Sequence, residues 1–322
     1  MTALPDLAAT AKAIAAAEAR IRPHIRETWL EPSPILAERI GAPVFAKLEN
    51  LQQTGSFKAR GALNKILAAP GDGRLVVTAS TGNHGAGVAY ALSRVGRRGI
   101  VFVPEGASEA KVAFIRRLGA QVETYGQDSI ETELHVRRLA EAEGHLFVPP
   151  YNDPEVLAGQ GTIARELLRQ GPRIDNVFVS VGGGGLISGI AAGLKAERPD
   201  IRVFGCSAAA SCVMARSVAA GRMLDLPSEP TLSDGTAGGV EGDTITFDYC
   251  RTLVDDWIEV EEDEIASALR LFLDGHRMLI EGAAAVAIAA ALKQAAEVGL
   301  SGTSVIVCCG GNIGRNTLRQ IL

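Results

Sequence analysis

The sequence predicts an α/β protein with mostly parallel β-sheets. Short runs rich in β-branched residues recur along the 322-residue chain and alternate with segments of helical spacing. Hydrophobic residues make up 47% of the chain and charged residues 21%, which is enough apolar content for a packed core. The length suits two domains of ordinary size or one large α/β domain.

The elements follow one another in a regular order. Residues 1–21 are rich in alanine but interrupted by charges, which predicts an amphipathic helix rather than a signal peptide. Segments 108–119 and 129–144 predict helices, and the second places Leu134 and Val136 on one face. Eight runs predict strands: 43–49, 75–80, 99–104, 121–126, 145–150, 176–182, 201–207 and 304–309.

Two breaks, the first with glycine and proline and the second rich in proline, suggest a domain division. They lie at 67–75 and at 149–155 and flank one compact set of strand–helix units. We therefore expect a smaller domain of residues 67–152 inserted into a larger one. The larger domain would consist of residues 1–66 and 153–322.

Composition argues against several classes of protein. The net charge is -5, and without a long basic run such a chain binds nucleic acid or anionic membranes poorly. Five cysteines without a CxxC pair disfavour a disulfide framework or a structural zinc site. The longest weakly polar run, 279–292, contains Glu281 and is too short to span a bilayer. We expect a cytoplasmic protein.

A first loop that could bind a ligand follows the strand predicted at 75–80. It contains Thr81, Gly82, Asn83 and His84 and leads directly into a helical pattern. The free N–H groups and the dipole of a helix N-terminus suit a carboxylate or a phosphate. An ordinary strand–helix turn with polar caps is the alternative.

A second loop, Gly182–Gly185, follows the strand predicted at 176–182 and is called the tetraglycine loop below. Ordering four glycines costs much backbone entropy. That cost is explained if their N–H groups must surround a phosphate. A flexible linker is the alternative. Neither a GxGxxG fingerprint nor a GxxxxGK[ST] motif is present, so a small monophosphate remains.

Lys58 differs from most lysines of the chain because its neighbours are apolar or small. It lies within Thr54–Ala62, with the sequence TGSFKARGA. A lysine in such a setting can lose its proton and form a Schiff base. A solvated surface lysine is the alternative.

Four motifs in order resemble those of the fold-type II pyridoxal-phosphate enzymes. They are TGSFKARGA, STGNHG at 80–85, the tetraglycine loop and CGGN at 309–312, and together they cover nearly the whole chain. Within these enzymes the sequence resembles the threonine/serine dehydratases and serine racemase. The resemblance implies pyridoxal 5'-phosphate as cofactor and a homodimer. It also implies the two-domain fold of the tryptophan synthase β type, with parallel-rich sheets flanked by helices.

The resemblance also implies roles for individual residues. Lys58 would carry the cofactor as an aldimine and remove the Cα proton, with Phe57 behind the cofactor ring. Asn83 would hydrogen-bond the phenolic oxygen, and the tetraglycine loop would hold the phosphate. Cys309 stands where many relatives have a serine next to the pyridine nitrogen. The substrate carboxylate would be held by Ser80, Thr81, Gly82 and His84, with Thr81 also a candidate catalytic group.

Three departures from the family refine these expectations. A neutral thiol at Cys309 cannot fix a charge on the ring nitrogen, which suits elimination of a leaving group. The positions of a divalent-metal site in some relatives correspond to Ser207 and Val213, which supply no carboxylate, so we expect no metal. The sequence stops shortly after Cys309, so we expect no isoleucine feedback.

The implied reaction is dehydration of a neutral β-hydroxy-α-amino acid to a 2-oxo acid and ammonia through β-elimination. Threonine, serine or a bulkier substrate such as phenylserine would fit. Racemisation stays open because Thr81 keeps a hydroxyl where serine racemase has a serine. A β-hydroxyaspartate substrate would need an extra arginine, where this chain offers Thr132. A hydroxyectoine-derived hydroxy amino acid also stays open. A non-enzymatic pyridoxal-phosphate carrier would have no reason to keep the substrate loop, and a sugar-phosphate binding module would not need Lys58.

Overall fold

A computed structural model describes residues 5–322 of the chain. Its larger sheet has six strands, of which the first pairs antiparallel with its neighbour while the other pairs are parallel. In spatial order the strands are β1 (Leu30–Pro32), β2 (Val44–Lys47), β10 (Ser304–Val307), β7 (Asn176–Ser180), β8 (Arg202–Ala208) and β9 (Asp256–Val260).

The smaller sheet has four strands, and all of its pairs are parallel. Parallel strands need crossover connections, and here helices supply them. In spatial order the strands are β5 (Gln121–Thr124), β4 (Gly99–Val103), β3 (Val76–Ala79) and β6 (Leu146–Phe147).

Helices connect the strands, and several begin at side chains that accept backbone N–H groups. Asp128 accepts from Ile130 and Glu131, and Asp153 does the same for the helix that starts at Pro154. The helices are α1 (Leu7–Ile21), α2 (Pro34–Ile40), α3 (Lys58–Ala68), α4 (Asn83–Val95), α5 (Glu109–Arg117), α6 (Ser129–Glu143), α7 (Pro154–Gln170), α8 (Gly185–Glu197), α9 (Val213–Ala220), α10 (Thr246–Leu253), α11 (Glu262–His276), α12 (Gly282–Glu297) and α13 (Arg315–Ile321).

The predicted fold class and all eight predicted strands are confirmed. The predicted amphipathic helix is confirmed from Leu7 onwards, and residues 1–4 lie outside the described residues. Strands β1 and β9 were not predicted. Both are edge strands; β1 has only three residues, and β9 lies in a segment rich in acidic residues.

Each sheet has its own buried apolar cluster. The cluster around the four-stranded sheet also takes in Ile21, Leu63, Ile66 and Val156, which lie outside residues 67–152. The domain division therefore stays a prediction, because packing crosses its proposed limits. Across residues 5–322, no helix combines the length and apolar character needed to cross a bilayer.

Candidate active site

The four sequence motifs meet at the carboxyl ends of parallel strands from both sheets. Loop 80–82 follows β3, the tetraglycine loop follows β7, and Cys309 lies just beyond β10. The side-chain amide of Asn312 donates to Asn83 Oδ1 over 2.7 Å, and the Phe57 N–H donates to the Cys309 carbonyl over 3.1 Å. Ligand sites of parallel sheets usually lie at this edge.

Lys58 is the first residue of α3 and is partly buried. Its Nζ donates to the Pro150 carbonyl over 2.8 Å and lies 5.3 Å from the centroid of the Phe57 ring. Burial lowers the pKa of Lys58 to about 8, against the opposing effect of Cys309 and nearby carboxylates. A neutral amine is therefore accessible near physiological pH, as a nucleophile or a general base requires.

Cys309 is buried next to this lysine. Burial raises the pKa of the Cys309 thiol well above its ordinary value, and the Glu281 carboxylate acts in the same direction. The thiol is therefore neutral in this environment, which supports the role expected from the sequence. Cys308 is buried as well and belongs to the core of the larger sheet.

Glu281 is a site residue that the sequence analysis did not select. Asn83 Nδ2 lies 2.9 Å from each of its carboxylate oxygens, and the Asn312 N–H donates to Oε2 over 3.2 Å. Burial raises the pKa of Glu281 to about 7. The Asn83 amide is held at both ends, and one of its two N–H groups suffices for Glu281, which leaves the other for a ligand. The sequence signal was an isolated acid in the apolar run 279–292.

The predicted substrate loop connects β3 to α4. The Gly82 N–H donates to Ser80 Oγ over 3.2 Å, while no described residue hydrogen-bonds the partly exposed Thr81 hydroxyl. A Cβ on Gly85 would lie 2.3 Å from the Ser80 carbonyl, so only glycine permits this tight turn. The loop thus presents hydroxyl and N–H groups at a helix N-terminus.

The side chain of His84 points away from the loop, and the place of His84 in the substrate loop stays a prediction. Its buried ring donates from Nε2 to the Val148 carbonyl over 2.9 Å. Burial, reinforced by Lys58, lowers the pKa of His84 to about 3, so the ring is neutral. The side chain fixes the loop against the segment that follows β6, and the His84 backbone remains available to a carboxylate.

The tetraglycine loop is enclosed on several sides. A Cβ on Gly183 would lie 2.4 Å from the Tyr151 ring, and one on Gly184, whose φ is +83°, would lie 3.0 Å from Thr246. Thr246 Oγ1 also donates to the Gly183 carbonyl over 2.7 Å. None of the N–H groups of Gly182, Gly183 and Gly184 has an acceptor within residues 5–322. Tyr151 is a second residue that the sequence did not reveal.

A surface segment borders the site; we call residues 231–245 the strap. A Cβ on Gly235 would lie 3.4 Å from Glu281 Oε1. The Thr236 carbonyl would lie 2.7 Å from a Cβ on the first glycine of the tetraglycine loop. The strap therefore touches both ends of the predicted cofactor site.

Thr132 does not face the site, although its position in the sequence corresponds to that of the arginine expected for an acidic substrate. It is buried, and its hydroxyl donates to the Tyr125 and Asp128 carbonyls over 2.7 Å each. The next residue, Glu133, is the one whose carboxylate acts electrostatically on Lys58. Position 132 thus stabilises the start of α6, and position 133 contributes charge near the lysine.

The residues present fit the predicted cofactor. The tetraglycine loop offers N–H groups without acceptors, in space that side chains would fill, as a bound phosphate requires. Lys58 offers an amine with a lowered pKa for an aldehyde, and Cys309 offers an uncharged thiol for a ring nitrogen. The individual roles stay predictions.

The two positions expected to have lost a metal site lie near the end of β8 and at the start of α9. Ser207 is buried in β8, and no described residue hydrogen-bonds its Oγ. Val213 begins α9 and is packed in the core. Within the described part of the chain, no group of three His, Cys, Asp or Glu residues could hold a metal ion. Independence from divalent metals stays a prediction.

Comparisons with known proteins agree with this site. A family model described as pyridoxal-phosphate dependent enzyme matches residues 21–310. An L-threonine ammonia-lyase of Geobacter sulfurreducens is 40% identical over 308 residues, which cover 95% of this chain and 76% of the relative. Threonine deaminase isoform 2 from Solanum lycopersicum, in its processed form, has a TM-score of 0.93 at 32% identity, covering 98% of this chain and 92% of that one. Maize serine racemase has a TM-score of 0.89 at 33% identity, covering 96% and 95%.

The two α/β sheets and the lysine at their carboxyl edge define a fold-type II pyridoxal-phosphate enzyme. The chain belongs to the pyridoxal-phosphate dependent enzyme family and, within it, to the threonine/serine ammonia-lyases. It is therefore a pyridoxal-phosphate-dependent lyase. The predicted family, enzyme class and cofactor are confirmed.

Proposed function

We propose that this lyase dehydrates a neutral β-hydroxy-α-amino acid to a 2-oxo acid and ammonia. The observation that carries the proposal is Lys58, whose pKa of about 8 makes it a base, beside the neutral thiol of Cys309. A neutral group at the ring nitrogen favours loss of a β-substituent over storage of negative charge in the ring.

Each residue has a defined task in this reaction. Bound pyridoxal phosphate supplies an electron sink that acidifies the Cα–H bond of the substrate. Lys58 takes the Cα proton and, as an ammonium, can return a proton to the departing β-hydroxyl. Asn83, fixed by Glu281, orients the ring, and the loop from Ser80 to Gly82 holds the substrate carboxylate at the start of α4.

Charges near the site support a neutral side chain on the substrate. The Glu133 and Glu241 carboxylates are bound by a single guanidinium, that of Arg137. Glu133 also acts on Lys58, so this side of the site carries excess negative charge. A second substrate carboxylate, as in β-hydroxyaspartate, would be repelled.

Substrate identity can be tested with a panel of amino acids and detection of 2-oxo acids. The panel contains threonine, serine, phenylserine, β-hydroxyaspartate and a hydroxyectoine-derived hydroxy amino acid. Turnover of one or more neutral members, with none for β-hydroxyaspartate, is the expected result. Preferred turnover of the dicarboxylic member would contradict the proposal.

The role of Lys58 has a separate test. Borohydride reduction of the holoenzyme followed by peptide mapping should place the cofactor on TGSFKARGA. Lys65 is the matched comparison, because it lies in the same helix but is paired with Asp153 over 2.5 Å. A reduced adduct on any lysine other than Lys58 would reject the assignment.

A racemase is the second candidate, favoured by the Thr81 hydroxyl that lacks a partner among the described residues. A racemase needs an acid or base on the substrate face opposite the lysine, and this hydroxyl lies in the substrate loop. Chiral chromatography of substrate recovered from wild type and Thr81→Ala decides between the two. Isomerisation of the substrate by wild type, but not by Thr81→Ala, would establish racemase activity that depends on the Thr81 hydroxyl.

We also propose that the enzyme is a cytoplasmic homodimer. Trp29 is 60% exposed beside the edge strand β1, where it lines a groove together with Leu51 and Met278. Such apolar exposure is typical of an interaction surface. Light scattering of the purified protein measures the mass, and a monomer would refute the proposed dimer.

A further inference from the structure

Glu241, in the strap, connects three parts of the molecule. Its carboxylate accepts a hydrogen bond from Arg137 Nη2 over 2.7 Å and another from Asn152 Nδ2 over 2.8 Å. Its backbone N–H donates to the Tyr151 hydroxyl over 3.0 Å. The single residue thus joins helix α6, the segment after β6 and the strap.

Tyr151 forms one wall of the tetraglycine loop. A Cβ on Gly183 would lie 2.4 Å from its ring, and one on Gly185 would lie 2.8 Å from its Cβ. Burial raises the pKa of Tyr151 above its ordinary value, so the phenol keeps its proton. The position of this ring therefore determines the space around the glycine N–H groups.

The same part of the strap and the helix after it hold the opposite side of the loop. The Ile245 N–H donates to Asn152 Oδ1 over 3.0 Å, and Thr246 Oγ1 donates to the Gly183 carbonyl over 2.7 Å. Glu241 and Thr246 are five positions apart, and between them they fix both walls of the tetraglycine loop.

Arg137 anchors Glu241 to the smaller sheet. Its guanidinium also binds Glu133 over 2.7 Å and lies 4.9 Å from the centroid of the Phe147 ring in β6. A guanidinium held by two carboxylates and an aromatic face has little rotational freedom. It is therefore a stable attachment point for the strap.

We propose that Glu241 is a positioning residue that holds Tyr151 against the tetraglycine loop and thereby sets the affinity for the cofactor phosphate. This inference rests on the proposed role of the loop as the phosphate site. Without Glu241, Tyr151 would pack against the tetraglycine loop in only a fraction of the molecules. The apparent Kd would then rise by the inverse of the fraction of molecules in which the loop is formed.

The test compares Glu241→Gln with Glu259→Gln. Glu259 makes a similar partly exposed ion pair, with Arg216 over 2.5 Å, but it does not contact the tetraglycine loop. Holoenzymes are dialysed against decreasing concentrations of pyridoxal phosphate, and the retained cofactor is measured by absorbance. The Kd of Glu241→Gln should rise about tenfold, as expected for one weakened charge-assisted hydrogen bond, and that of Glu259→Gln should not change.

Two further measurements identify the route of the effect. Exchange with pyridoxal, which lacks the phosphate, should show no difference between Glu241→Gln and wild type. Arg137→Gln should raise the Kd for pyridoxal phosphate by a similar factor, with little added in the double variant, because both changes break one connection. Equal weakening of pyridoxal and pyridoxal phosphate would overturn the proposal.

Gly183→Ala separates the inference from the function on which it rests. If Gly183→Ala weakens cofactor binding but Glu241→Gln and Arg137→Gln do not, the phosphate site stands and the role of Glu241 is rejected. If Gly183→Ala leaves the Kd unchanged, the phosphate site itself is wrong and the proposal fails with it. A lower melting temperature in Glu241→Gln with an unchanged Kd would reduce Glu241 to a structural residue.

Discussion

Glu281 is a buried carboxyl whose pKa is raised from its ordinary 4.5 to about 7, chiefly by burial. Between these pH values the folded cofactor-free chain keeps a proton that the unfolded chain has released. The free energy of unfolding therefore falls as the pH rises through this window. Glu281→Gln should remove that fall, which amounts to at most about 3 kcal/mol.

Urea unfolding of the cofactor-free chain at several pH values measures this effect. The stability of Glu281→Gln relative to wild type should increase between about pH 4.5 and about pH 7 and level off above that. His276 titrates elsewhere in the molecule and contributes equally to both proteins, so it cancels in the difference. A difference that is constant across the window would show that Glu281 does not titrate there.

Cys309 offers a second prediction for a single residue. Cys309→Ser should keep most of the dehydratase activity, because both groups are neutral next to the ring nitrogen. Cys309→Asp should slow elimination at least tenfold, or about 1.4 kcal/mol, because a carboxylate favours negative charge stored in the ring. Steady-state rates and near-visible spectra of both variants provide the measurement.

The neighbouring carboxyl sharpens this comparison. An aspartate introduced at position 309 would lie near Glu281, and like charges raise the pKa of carboxyl groups. The double variant Cys309→Asp with Glu281→Gln should therefore show the slow phenotype more fully than the single variant. Retention of activity in Cys309→Asp with severe loss in Cys309→Ser would show that the ring nitrogen is charged in the native enzyme.

The candidate site residues chosen from the sequence sit in contiguous motifs, whereas the candidates that only the structure adds arrive through tertiary contacts. Lys58, Asn83 and the tetraglycine loop lie in compact motifs, so their proposed chemistry can be inferred from the local sequence alone. Glu281 and Tyr151 act through neighbours far away in the chain: Glu281 reaches Asn83, 198 residues earlier. Such a pairing depends on sheet topology, which local spacing does not contain.

Among the elements, helix α3 carries Lys58 at its first position without a side-chain cap at its N-terminus. Its attachment comes from Arg60, two residues on and fully buried. Arg60 binds the Glu49 carboxylate through two hydrogen bonds of 2.8 Å and the Glu166 carboxylate through two more. Because Arg60 and Lys58 leave the helix in different directions, this buried cluster fixes the rotation of α3 about its axis.

Arg60→Met should lower the free energy of unfolding by about 3–5 kcal/mol, because it leaves buried carboxylates without their main partner. Arg74→Met is the control, since the pair of Arg74 with Asp72 is exposed to solvent and should contribute far less to stability. Urea unfolding of both variants gives the comparison. Similar small losses would mean that the buried cluster contributes no more than a surface pair.

Helix periodicity was predictable only in part. In α6 the spacing put Leu134 and Val136 on one face, but Leu134 is 48% exposed while Val136 is buried. The buried face of α6 instead contains Thr132 and Ala140, which a search for large apolar residues overlooks. Small and capping residues can occupy a buried face where a helix lies close to a sheet, so hydrophobicity alone gives the wrong rotation.

At the scale of the whole molecule, the proposed division into 67–152 and the remainder matches the limits of the smaller sheet but not those of its apolar cluster. The four-stranded sheet lies entirely within 67–152. Yet the apolar cluster beneath it includes Leu63 and Ile66 of α3, both almost fully buried. Helix α3 also carries Lys58, so the element that holds the proposed catalytic lysine is packed against the smaller sheet.

A fragment of residues 67–152 should therefore fail to fold by itself. It would lack Ile21, Leu63, Ile66 and Val156, each buried in the cluster of the smaller sheet. Burial of such a side chain contributes about 1.5–3 kcal/mol, so the four together contribute about 6–12 kcal/mol, which is comparable with the whole stability of a domain. Circular dichroism during urea titration should show no cooperative transition for the fragment, whereas the intact chain provides the cooperative reference. A cooperative transition in the fragment would show that the smaller sheet is an autonomous domain and that α3 packs against it without being required for its folding.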